Sequence, residues 1–209
     1  METVKETKFV GILVDNELNW KKHINDTSKK IAKAIGILSK TKQFLNQKTM
    51  LQMYYSFIHP YLIYGNVIWG NAPASSLWPI FKLQKIAIRI ITNTPRGNST
   101  QPQFKPLRLL RLPDIYTYNT IIFMYKFSHK MMPPSLDSLF IKNKDIHQHN
   151  TRGASKLRTP KIRTNMAEKC ITTTGVKLWN DYSIKKDPAL KIRNFKKKLT
   201  TLPISSYHN

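Results

Sequence analysis

The chain has 209 residues, enough to bury a core in one or two domains, and with 41% hydrophobic and 11% aromatic residues it is too apolar to be disordered. Its 35 lysines and arginines against 11 aspartates and glutamates give a formal charge of +24, an imbalance that points to a polyanionic partner. Cys170 is the only cysteine, which excludes an internal disulfide framework, fits a reducing compartment and makes the chain an expected intracellular protein.

In chain order, Thr7 to Val14 is short, β-branched and apolar and reads as a strand, with turn chemistry at Asp15-Asn16-Glu17. A helix is predicted from Trp20, since Ile24, Ile31, Ile35 and Leu38 recur at helical spacing. Lys22, Lys29, Lys33 and Lys40 fall on its other side within about a 40° sector at about 100° per residue. Such a face serves anions or is simply solvated. Asn46 is the predicted N-cap of a helix through Met50, Leu51, Tyr54, Tyr55 and Ile58 that Pro60 ends or kinks. Tyr61 to Trp69 continues as a second apolar piece, broken at Asn71-Ala72-Pro73.

Ser75 or Ser76 is the predicted cap of a third helix running to about Thr92. Leu77, Phe81, Gln84, Ile88 and Ile91 share one face of it, and Lys82, Lys85 and Arg89 form a narrow basic rail on a helix otherwise apolar nearly all round. After a loop at 94–99, Pro113 suits the start of a helix from Ile115 to about Lys130, whose aromatic residues Tyr116, Tyr118, Phe123, Tyr125 and Phe127 read as core. The stretch 141–166 is polar, basic and unpatterned, a linker or an arm that orders on binding. Ala167 to Trp179 and Leu190 to Leu199 make a small terminal module, parted at Asp187-Pro188.

From Thr27 to Pro113 there is no carboxylate. So long a stretch of one sign repels itself unless something anionic neutralises it, and a phosphate backbone, which releases counterions on binding, is the natural partner. Enzymatic signatures are missing by contrast. Two-metal phosphoryl transfer needs paired carboxylates, and Asp15, Asp26, Asp114, Asp137, Asp145, Asp181 and Asp187 form no adjacent pair. The glycines are too dispersed for a phosphate loop, and His147, His149 and Cys170 are too few and too far apart for a zinc site. His59 and His129 lie on apolar segments and read as core histidines. No catalytic residue, metal site or cofactor is expected.

A set of motifs recurs in a telling order. Lys8-Phe9-Val10-Gly11-Ile12 precedes Leu18-Asn19-Trp20-Lys21-Lys22-His23-Ile24, then Pro60-Tyr61-Leu62-Ile63-Tyr64-Gly65 with Trp69-Gly70, and Leu83-Gln84-Lys85-Ile86-Ala87-Ile88-Arg89-Ile90-Ile91. His149-Asn150-Thr151-Arg152 and Gly175-Val176-Lys177-Leu178-Trp179-Asn180 follow. Over roughly Thr7 to Leu199 this series resembles the part that follows the polymerase palm in LINE-type (non-LTR retrotransposon) reverse transcriptases of the jockey-like class.

The resemblance implies a mainly α fold: an end-of-palm β-hairpin at 1–19, a helical thumb and post-thumb bundle at 20–140, the basic linker at 141–166 and a small helical module at 167–209. It implies a primer-grip-like role for Phe9, Val10 and Gly11. Non-sequence-specific contacts to RNA, DNA or a hybrid duplex would come from Lys22, Lys29, Lys33, Lys40, Lys82, Lys85 and Arg89. The family's catalytic Tyr/Phe-Ala-Asp-Asp turn would lie upstream of Met1, so the chain reads as a truncated frame, with palm and fingers supplied by an upstream segment. Asp181-Tyr182 stands where family members often have Leu-Pro. The expected function is that of a catalytically incomplete C-terminal fragment of an RNA-directed DNA polymerase, in the nucleus or a cytoplasmic ribonucleoprotein. The alternatives are an inert remnant of a degenerate element and a free-standing basic nucleic-acid chaperone.

Overall fold

The structure, a computed structural model, describes residues 4–146, 153–181 and 191–201. It is mainly helical behind an N-terminal hairpin, and its chain divides into two compact units, Met1–Ile115 and Tyr116–Asn209.

The first unit opens with antiparallel β1 (Glu6–Phe9) and β2 (Ile12–Asp15), paired from Glu6 with Asp15 to Phe9 with Ile12. The run that reads as one strand is therefore two. Val10 and Gly11 turn the chain with φ of 46° and 80°, a two-residue loop whose twist suits a hairpin. Positive φ is strained for a β-branched residue, and the Tyr64 hydroxyl fixes Val10 by donating to its carbonyl oxygen. Beyond β2, the Asp15 carboxylate accepts from the backbone N–H groups of Glu17, Asn19 and Trp20. That loop leaves Trp20 at φ 63°, so α1 spans Lys21–Thr41, one residue later than expected.

Helix α1 buries Ile24, Ile31, Ala34, Ile35 and Leu38, the face its spacing predicts. Helix α2 (Gln47–Phe57) starts at Asn46, whose Oδ1 accepts from the Thr49 N–H at 2.9 Å. The chain then breaks near Pro60 into short α3 (His59–Ile63) and α4 (Asn66–Trp69). Helix α5 (Ala74–Thr92) begins at Pro73 rather than at a serine cap. The fixed φ of Pro73 presents its carbonyl to the N–H groups of Ser76 and Leu77 at 2.9 and 3.1 Å. Short α6 (Gln101–Phe104) follows, and α7 (Leu112–Ser128) begins with Pro113 in its first turn.

The core of this unit is built from Ile31, Leu38, Met50, Tyr54, Ile58, Leu62, Trp69, Ile80 and Ile88, all buried. Among the buried polar residues of this unit, Gln84 is fully enclosed. The Gln84 amide donates to the Tyr54 hydroxyl (3.0 Å) and the Leu110 carbonyl (2.9 Å), while its oxygen accepts from the Leu112 N–H (3.0 Å). Gln84 therefore ties α2 and the 110–112 segment to α5, with both polar atoms of its own side chain satisfied.

In the second unit Tyr125 stacks on Phe195 at 4.3 Å and Phe127 meets Phe140 edge-on at 4.7 Å. Tyr116 and Tyr125 are buried, so the aromatic density of α7 serves packing. Short α8 (Asn165–Lys169) precedes α9 (Ile171–Asp181), and α10 is Ile192–Thr201. The described part of 141–166 is folded rather than an open linker. Lys142 and Leu157 form a β-bridge, Leu157 is buried, and the Asn180 side chain both donates to the Leu157 carbonyl (2.8 Å) and accepts from its N–H (3.2 Å). One buried leucine and one amide that imitates a strand neighbour suffice to order a segment whose composition is polar. The His149-Asn150-Thr151-Arg152 motif and Asp187-Pro188 lie outside the described residues.

Candidate nucleic-acid interface

Four cations share the outer side of α1. Lys29, Lys33 and Lys40 are exposed and, among the described residues, make no ion pair. Lys22 differs because its ammonium pairs with Glu6 of β1, at a surface where such pairs contribute little. With Ile24, Ile31, Ile35 and Leu38 anchored in the core, the helix cannot roll, so the three free lysines are held in one row facing water.

The α5 cations have divided fates. Lys82 is exposed. Lys85 is half-buried with its ammonium 4.6 Å from the Trp78 ring and 4.3 Å from the Phe81 ring, so part of its charge is spent on cation–π contacts within the protein. Arg89 leans toward the loop at 94–99, where a terminal nitrogen donates to the Asn98 carbonyl at 3.3 Å. There it borders a groove of about 760 Å³ between α1 and α5, together with Lys42 and Arg96. The three residues Lys82, Lys85 and Arg89, one rail in the sequence pattern, thus occupy three different settings.

At the other edge of α1 lies a cavity of about 580 Å³ lined by Gly11, His23, Thr27, Lys30, Tyr61 and Tyr64, among others. Lys30 sits 5.8 Å from the Tyr61 ring centroid. Phe9 and Val10, at the hairpin tip beside it, are 71% and 67% exposed. Gly11 borders the cavity, and its φ of 80° accounts for the glycine through the turn alone. His23 accepts from the Leu13 N–H through Nδ1 at 3.4 Å and lies against Trp69, ring centroids 5.6 Å apart. Burial, reinforced by the Lys30 charge and only partly opposed by Asp26, pushes its pKa below the ordinary 6.5. A neutral imidazole is what the Leu13 bond needs.

The Pro60–Gly65 motif holds this corner together. Gly65 has φ 60°, and a Cβ there would stand 2.4 Å from Cδ1 of Ile12, so the glycine is the socket into which the hairpin docks. Trp69 donates from its indole nitrogen to the Tyr64 carbonyl at 2.9 Å. Lys30, Lys42, Trp78 and Arg96 escape sequence reading because three of them lie at helix edges or in a loop, where periodicity places nothing. Trp78, a large apolar ring, is 54% exposed. Among the described residues no group of three or more His, Cys, Asp or Glu side chains is placed to hold a metal ion, and no helix is long and apolar enough to cross a membrane. Comparison of the chain with protein families, with curated proteins and with solved structures found no match.

Proposed function

We propose that the chain binds nucleic acid without sequence specificity, as the thumb and post-thumb part of an RNA-directed DNA polymerase of the LINE type whose chemistry belongs to another segment. The row of Lys29, Lys33 and Lys40 on α1 carries this reading: three exposed cations, locked in register by a buried opposite face, in a stretch without a carboxylate. Lysine supplies point charges that follow a phosphate backbone without reading bases. The motif order quoted above, from Phe9-Val10-Gly11 to Leu178-Trp179-Asn180, supports the polymerase assignment. No two carboxylates are adjacent in the sequence, as two-metal chemistry would favour, so the reading assigns no catalysis to the chain itself.

Binding of an RNA–DNA hybrid duplex as a function of salt tests it. Neutralising about four phosphates makes affinity fall about 150-fold between about 50 and 200 mM salt. Replacing Lys29, Lys33 and Lys40 together by Gln is expected to flatten that dependence by roughly three ion equivalents. A hybrid that stays unbound at about 50 mM salt, or an affinity indifferent to salt, refutes the proposal.

A further inference from the structure

The α1–α5 groove has features that a solvated basic surface does not require. Its apolar floor includes Ile35, Ile86 and Ile90, and its three cations come from separate places: Lys42 after the end of α1, Arg89 on α5 and Arg96 in the following loop. No carboxylate lines it. The buried Nε of Arg89 finds no acceptor among the described residues, the condition in which an incoming anion gains most.

Gly36 is the second observation. It lies within α1, where glycine is a poor helix former. Its backbone does not have positive φ, and a Cβ built on it would meet nothing within 4 Å. Neither the fold nor the packing of this unit calls for glycine. What its missing side chain leaves is room in the groove wall, beside Ala32 and Ser39. At about 100° per residue, Gly36 stands about 40° and Ser39 about 100° from the middle of the Lys29, Lys33 and Lys40 row, so the groove meets the lysine track at Gly36.

We propose that this groove seats one nucleotide of a single-stranded nucleic acid, its phosphate among Lys42, Arg89 and Arg96 and its sugar and base over the isoleucine floor. The volume matches a ligand of that size, and an apolar floor beside a cationic rim takes any base, as single-strand binders require. The inference rests on the nucleic-acid reading above and adds a strand preference to it.

The test uses the full chain with a fluorescent oligothymidylate of about 12 nucleotides and, separately, a blunt RNA–DNA hybrid, followed by anisotropy. Gly36→Leu fills the groove and is expected to keep or raise thermal stability, to weaken oligothymidylate binding about tenfold and to leave hybrid binding within about twofold. Gly36→Ala, too small to block, retains both. The double variant Lys42→Ser with Arg96→Ser, at a helix end and in a loop, reports on the same groove without touching the helix interior and is expected to repeat the selective loss. A wild-type chain that binds neither probe removes the nucleic-acid reading and this proposal with it. If the wild type binds but the blocked variants bind oligothymidylate equally well, or lose both probes alike, the groove proposal alone falls. Thermal protection of the wild type by inorganic phosphate that Gly36→Leu abolishes, with oligothymidylate binding unchanged, marks a small-anion site and also overturns it.

Discussion

Several single residues do work that their type alone does not announce. Gln84 satisfies three groups at once through its two amide atoms: the Tyr54 hydroxyl, the Leu110 carbonyl and the Leu112 N–H. Gln84→Ala is expected to cost about 3 kcal/mol in chemical denaturation, because a buried carbonyl, N–H and hydroxyl each lose a partner. Gly65→Ala is expected to cost about 2 kcal/mol and to loosen the hairpin, since the methyl group meets Ile12 and the backbone has positive φ. Amide exchange at Leu13 would register the loosening. His23 supplies a pH dependence. Its folded pKa lies below the unfolded value of 6.5, so the unfolded chain takes up the proton first as pH falls. The associated stability is complete above about 6.5 and is lost as pH drops through the lowered folded pKa. His59, also lowered by burial, acts in the same direction. His23→Asn should therefore flatten, without abolishing, the decline in melting temperature between about pH 7.5 and 5.

Among the elements, α1 is the one in which sequence pattern and tertiary role coincide most fully. Its isoleucine and leucine positions are buried and its lysines at 29, 33 and 40 are exposed, as a period of about 3.6 residues requires. Helix α5 shows where such reasoning stops. Its charged edge is real as a geometric line, but Trp78 and Phe81 draw in Lys85 while the 94–99 loop draws in Arg89. Lys82→Gln is therefore expected to reduce the salt dependence of hybrid binding by about one ion equivalent, whereas Lys85→Gln should reduce it by less and instead lower stability. A measured slope change equal for the two would show that the ring contacts leave the Lys85 charge fully available. The 141–166 segment teaches a related lesson. Composition reads it as a linker, yet Leu157 and Asn180 pin its described part to α9.

For the whole molecule the governing quantity is charge. With a net +24 and no carboxylate between Thr27 and Pro113, the first unit holds like charges together chiefly by burial, its ion pairs among the described residues being Lys22 with Glu6 and Arg111 with Asp114. Added salt screens that repulsion. The melting temperature is expected to rise between about 50 and 300 mM sodium chloride while affinity for a nucleic acid falls over the same range. A protein held by surface ion pairs would lose stability with salt, so calorimetry across that series discriminates between the two.

The amino-acid order alone was enough to specify a mainly helical chain, the buried face of α1, the Asn46 cap and the core role of the α7 aromatics. Each of these depends on neighbours within a few turns, where helical periodicity and capping chemistry act. Only packing decided that Gly65 is the socket for Ile12, that Gln84 is a buried junction, and that Lys42, Arg89 and Arg96 converge on one groove. Apart from Arg89 and Arg96, which are neighbours in sequence, the partners are separated along the chain by tens of positions, and no local propensity encodes which surfaces meet when α1 and α5 bury their apolar sides together.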